Sequence, residues 1–147
     1  GRGMDDISRA FSDDHRRCDE FFIAVEQAVT DGDWATVETA AVRFVKAMEH
    51  HFSGVEEELF PALNASSAAS GGQIQKMLME HEQMRGLFTQ LKSALERKDA
   101  RGCLGVTETL LMIMQQHNMK EENILYPMAD RSLGPEGAAL AQRLSRD

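Results

Sequence analysis

The chain reads as an all-α protein, an up-down-up-down four-helix bundle with a short C-terminal fifth helix, and three observations predict it. Apolar residues step by three and four through four long segments, as the buried stripe of a helix does. Short connections join these segments, which makes consecutive helices antiparallel neighbours. The pattern also repeats: His15 and His51 are 36 residues apart, as are His81 and His117, so position n answers to n + 66. That shift takes Phe22 to Phe88, Phe44 to Leu110, Met48 to Met114, Glu56 to Glu122, Leu59 to Leu125, Phe60 to Tyr126 and Pro61 to Pro127. Self-similarity of this kind marks one two-helix unit present twice.

The first stripe is Ile7, Phe11, Cys18, Phe22, Val25 and Val29, with His15 filling its gap. The turn Thr30-Asp31-Gly32-Asp33 ends it. The second runs Val37, Ala41, Phe44, Met48, Val55 and Leu59 around His51, and the Ala, Ser and Gly of Asn64 to Gly72 read as a loop. The third is Ile74, Met77, Leu78, Met84, Phe88, Leu91 and Leu95, interrupted by His81. After a turn over Asp99 to Gly102 the fourth follows: Val106, Leu110, Met114, Ile124 and Met128, with His117 and Glu121 on the same face. Pro135 opens a short fifth helix ending near Leu144. The bundle is expected over residues 5–130, with 131–147 packed on it.

Composition narrows the function classes. A formal charge of −8 over 147 residues disfavours nucleic acid and anionic membranes, both of which want a basic face. No stretch approaches the roughly 20 apolar residues of a membrane span. The first twenty residues are dense with charge, so no secretory leader is expected. Cys18 and Cys103 show neither disulfide-framework nor CxxC spacing, which points to a reducing cytoplasm. There is no Gly-rich phosphate loop and no nucleophile elbow.

Counting residues to each turn, at about 1.5 Å of rise per residue, puts His15, His51, His81 and His117 within about one helical turn of one another. A single histidine in an apolar stripe is usually a hydrogen-bonded core residue. Four in one layer, one per helix, are too costly to bury without a partner, and a metal ion is that partner. Imidazole suits iron, zinc, copper and nickel, and a carboxylate such as Glu121, four residues after His117, can bridge two ions. The Glu-x-x-His pairs of ferritin-type sites are absent, since Ser12, Ala47, Met48, Leu78 and Met114 precede the five histidines by three. The zinc-protease pattern fails because Arg85 stands where a second histidine would follow His81-Glu82.

His15, His51 opening HFSGVEEELFP, His81 in MEHEQMR and His117 opening HNMKEENILYP together resemble the hemerythrin-like, or HHE cation-binding, domain family over about residues 5 to 130. The resemblance implies a four-helix bundle holding a carboxylate-bridged, non-haem di-iron centre through a His, His-x3-Glu, His, His-x3-Glu pattern. Carried over by position, the ligands are His15, His51, His81, His117 and Glu121. Relatives bind dioxygen, react with or sense nitric oxide or peroxide, or handle iron. One position departs from the pattern: four residues after His51 stands Val55, whose repeat mate is Glu121. Glu56 becomes the replacement ligand if a π-bulge, made plausible by Gly54, turns it inward. Glu58, seven residues from His51, and a site with no replacement are the alternatives.

Of the neighbours, His50 reads as exposed or as support for a ligand. Asp19 is an acceptor for the His15 ring hydrogen or a solvated ion-pair partner. Cys18 and the nine methionines read as packing. Tyr126 and Phe60 close the bundle end, the phenol being able to donate a hydrogen bond or an electron to iron. Two functions follow: iron that binds, senses or reduces a small oxidant (O2, NO or peroxide), or a single iron or zinc ion that mainly stabilises a sensory module acting through a protein partner.

Overall fold

The computed structural model describes residues 5–66 and 71–146, and among them there is no strand. Helix α1 spans Asp6–Asp31 and α2 spans Trp34–Ser53. The second helix continues through a π-helical stretch, Gly54–Leu59, into α3, Phe60–Ser66. The second unit repeats the arrangement: α4 is Gly71–Glu96, and α5, Ala100–Lys120, passes through a π-helical Glu121–Leu125 into α6, Tyr126–Leu133. Helix α7, Pro135–Arg146, is the fifth helix of the sequence reading. The four long rods close a ring, with α1 against α2 and α5, and α4 against α5 and α2.

Both turns obey the 66-residue repeat. The Asp33 carboxylate accepts from the Thr36 amide and starts α2, and its mate Asp99 does the same for α5 through Gly102. Gly32 leaves α1 at φ 73°, and its mate Lys98 takes the same left-handed turn at φ 52°, a conformation that glycine adopts without cost and lysine does not. The two π-helical stretches sit just ahead of Pro61 and Pro127, whose missing amide hydrogens leave a carbonyl free in any helix. The wider turn absorbs that defect, with the Phe60 amide bonding back to Val55 and the Tyr126 amide to Glu121.

The expected loop over Asn64 to Gly72 is shorter than composition suggests. Helix α3 runs on to Ser66, held by buried Leu63 behind it, and α4 is already helical at Gly71. Residues 67–70 of that expectation lie outside the described residues.

The interior is two apolar clusters with a polar layer between them. Phe22, Val25, Phe44, Phe52, Met84, Phe88, Leu91 and Leu110 belong to the cluster nearer the turns. Ile7, Phe11, Val55, Leu59, Phe60, Leu63, Leu125, Tyr126 and the α7 residues Leu140, Ala141 and Leu144 form the other. Gly54 lets α7 approach: a Cβ there would stand 3.1 Å from Leu144 Cδ1. The start of α1 is capped from another helix, because Asp5 makes no side-chain cap and the Asp130 carboxylate of α6 accepts instead from the Ile7 and Ser8 amides at 2.8 and 3.2 Å. Asp130→Ala is expected to cost about 1–2 kcal/mol, the value of a helix cap, in denaturant unfolding. An unchanged midpoint would show that the tie between α6 and α1 contributes nothing.

Candidate metal centre

All four stripe histidines and Glu121 lie in the layer between the two clusters, each at most 3 % exposed. Each imidazole is held from outside by a carboxylate. His15 Nδ1 donates to Glu122 at 2.6 Å, His51 Nδ1 to Asp14 at 2.8 Å, His81 Nδ1 to Glu56 at 2.6 Å and His117 Nδ1 to Glu80 at 2.7 Å. An ionised carboxylate only accepts, so these bonds place the ring hydrogen on Nδ1 and aim the Nε2 lone pair inward, as a metal-ligating histidine requires. The pairing obeys the repeat, since Asp14 answers to Glu80 and Glu56 to Glu122. Asp14 and Glu80 hold histidines of their own unit, whereas Glu56 and Glu122 reach across to the other.

Burial pushes Asp14, Glu56 and Glu80 upward in pKa, but their imidazole and cation partners outweigh it and keep them below the usual carboxylate range. The His15 hydrogen bond lowers Glu122. The cations are Arg17 on Asp14, Arg85 on Glu56 and Lys120 on Glu80. All four carboxylates are therefore charged at neutral pH and fit to orient rings.

Inside the layer, Glu121 lies between two histidine pairs. With His15 and His51 it forms one group of donor atoms, and with His81 and His117 a second, each spanning no more than 4.8 Å. Its Oε1 stands 2.9 Å from His15 Nε2, 3.6 Å from His51 Nε2 and 3.3 Å from His117 Nε2. So many lone pairs at such range need positive charge among them. Protons partly supply it: burial depresses His51, yet Asp14 and Glu121 raise it to about 9, and Glu121 lifts His117 likewise against burial. Burial and the charge on His117 hold His81 down at about 4. Buried Glu121 stays far below its ordinary value beside His117, and burial with Glu121 nearby drives the Tyr126 phenol well above its own. Even so, His81 Nε2, His117 Nε2 and Glu121 Oε2 are buried with no hydrogen-bond partner among the described residues. Three orphaned donors converging on one another are what cations would satisfy, and imidazole with carboxylate is a donor set for transition ions.

Glu56 is not among the inward donors. The π-helical stretch forms where the bulge was expected, but the residue it buries is Val55, and Glu56 ends on the outer nitrogen of His81 and on Arg85, 3.0 Å away. As the mate of Glu122 it serves the opposite unit. Glu58 pairs with Arg143 on the surface, so among the described residues no carboxylate takes the place of Val55. Asp19 is likewise displaced by Glu122 at His15. His50 is half-buried on the outer side, beside Arg17, Arg43 and Lys46. Cys18 is buried, burial pushes its thiol up to about 12, and it belongs to neither donor group. Sequence reasoning missed the outer carboxylates, although both pairs of mates were visible in the repeat. A surface groove of about 990 Å³ beside Trp34, Val42, Val45, Phe88 and Leu95 includes none of the layer residues.

An all-helical bundle with converging histidines and a shared carboxylate defines a metal-binding helical bundle. The family model described as Hemerythrin HHE cation binding domain matches residues 6–129, and the chain belongs to that family. It is a metal-binding domain, as family and donor groups together imply. No curated protein and no solved structure matches the chain. No described helix is long and apolar enough to cross a membrane.

Glu80→Ala and Glu122→Ala are each expected to weaken metal binding about 10–100-fold, the usual effect of losing a carboxylate behind a ligating histidine. Competition against a chromogenic chelator measures it. Unchanged affinity in both would show that the Nδ1 bonds do not orient the rings.

Proposed function

We propose that the chain holds two non-haem iron ions, one at His15, His51 and Glu121 and one at His81, His117 and Glu121, and uses them to bind, sense or react with a small oxidant such as dioxygen, nitric oxide or peroxide. The observation that carries this reading is the position of Glu121, one buried carboxylate belonging to both donor groups. Iron in such a site supplies reversible electron transfer to and from a diatomic ligand or peroxide. The protein supplies orientation through the outer carboxylates, and exclusion of bulk water through the apolar clusters above and below. Phe52 lies flat on His81 at 4.0 Å between ring centres, and Phe60 at 6.4 Å, which leaves the second group walled by hydrocarbon. That suits a small, weakly polar ligand rather than an organic substrate. Buried free thiols at Cys18 and Cys103 fit a reducing, cytoplasmic setting.

Elemental analysis of protein purified without chelator is expected to find iron at both groups, with ferric charge-transfer absorption that shifts on adding azide or peroxide. His117→Ala is expected to lose at least one ion, while His50→Ala keeps both. A colourless zinc protein, indifferent to azide, would overturn the redox reading and leave a structural metal site. Equal losses in the two variants would undo the ligand assignment.

A further inference from the structure

Two breaks in the repeat bear on the donor atoms of the layer, and both add an oxygen to the second unit. Where the first unit has Val55 the second has Glu121, and where the first has Phe60 the second has Tyr126. The Tyr126 side chain is fully buried, wedged against Phe11 and His15 with ring centres 5.3 and 5.6 Å away. Its Oη stands 2.8 Å from Glu121 Oε1, 3.1 Å from His15 Nε2 and 3.4 Å from His51 Nε2. The other three separations are His15 Nε2 to His51 Nε2 at 3.1 Å, His15 Nε2 to Glu121 Oε1 at 2.9 Å and His51 Nε2 to Glu121 Oε1 at 3.6 Å.

These are the six edges of a tetrahedron, all between 2.8 and 3.6 Å. A regular tetrahedron of that size has its centre about 1.9 Å from every corner, close to the roughly 2.0 Å bonds that imidazole and carboxylate make to zinc and similar ions. A tyrosine hydroxyl whose only task was to donate to Glu121 would need one such distance, not three. Resting on the metal-binding reading above, the geometry points to Tyr126 as a metal ligand: His15, His51, Glu121 and Tyr126 form a four-donor N2O2 site, leaving the three-donor group of His81, His117 and Glu121 as the one that admits an exogenous ligand.

The entering cation displaces the phenolic hydrogen, which leaves as a proton to solvent, and the Oη–Glu121 hydrogen bond gives way to two bonds to the same ion. The opposite half has no counterpart, because Phe60 presents only carbon to His81. For a tetrahedral ion such as zinc, a site with all four positions filled by protein is a structural site, and one with a vacant position is a reactive one. The two halves therefore differ in the number of donors they offer, four against three, despite the repeat.

The test uses the full chain, stripped with chelator and titrated separately with zinc and with iron followed by air. The chain contains one tyrosine, so any tyrosinate signal comes from Tyr126. Zinc is expected to produce an ultraviolet tyrosinate difference spectrum saturating with the first ion bound. Ferric iron is expected to produce a visible phenolate-to-iron band whose resonance Raman spectrum carries tyrosine ring modes. Tyr126→Phe, which places in the second unit the residue its mate already has, is expected to lose both signals while remaining helical and still binding metal at His81 and His117. Two ions bound by the natural chain without either signal would overturn the ligand assignment and leave the metal-binding reading intact. No metal bound at all would overturn both.

Discussion

A carboxylate buried among four imidazoles is the constraint around which this bundle is built. Glu121 has no access to water, and an isolated charge in that position would be too costly to fold around. The chain meets the cost in two ways. Inward, the converging lone pairs need positive charge among them, and Glu121 raises both His51 and His117 against their burial. Outward, four carboxylates grip the far side of the rings, and three of them are anchored to Arg17, Arg85 and Lys120. The layer thus carries carboxylates at its rim and at its centre, with the imidazoles between them. A metal ion bound at donor groups that exist only in the folded chain couples metal occupancy to folding.

The fold supports this layer by enclosing it between two apolar clusters, each drawing on all four rods. The π-helical stretches belong to the same solution. They accommodate Pro61 and Pro127 without breaking the rods, and they lie where each rod must present adjacent residues to different sides of the layer. Glu121 faces the centre while Glu122 reaches His15 from outside, and Val55 and Glu56 divide in the same manner. Because Glu56 and Glu122 each reach into the opposite unit, the two halves of the repeat hold each other's histidines in place. Neither half completes its site alone.

The helices, the turns and the histidine layer were legible in sequence because hydrophobic periodicity and the 66-residue repeat both report on burial, and burial decides those features. The family resemblance was legible for the same reason, through the spacing of His15, His51, His81 and His117. What escaped was direction. Counting along one helix gives the face on which Glu56 lies but not which neighbouring helix it meets, and a bulge expected to turn it inward instead delivered it to His81 Nδ1. Asp14, Glu80 and Glu122 looked like ordinary surface acids, since a carboxylate on the rim of a buried layer has the same local pattern as a solvated one. The placement of Tyr126 was hidden by its mate: Phe60 suggested a ring closing the bundle end, and the phenolic oxygen aimed at three donor atoms appears only once the helices are assembled.

The central claim, that one carboxylate unites two cation sites, is tested most directly by a crystal structure of the iron-loaded protein with anomalous maps recorded at the iron edge. Two peaks flanking the Glu121 carboxylate, one against His15 and His51 and one against His81 and His117, are the predicted result. A single peak, or peaks outside this layer, would contradict it.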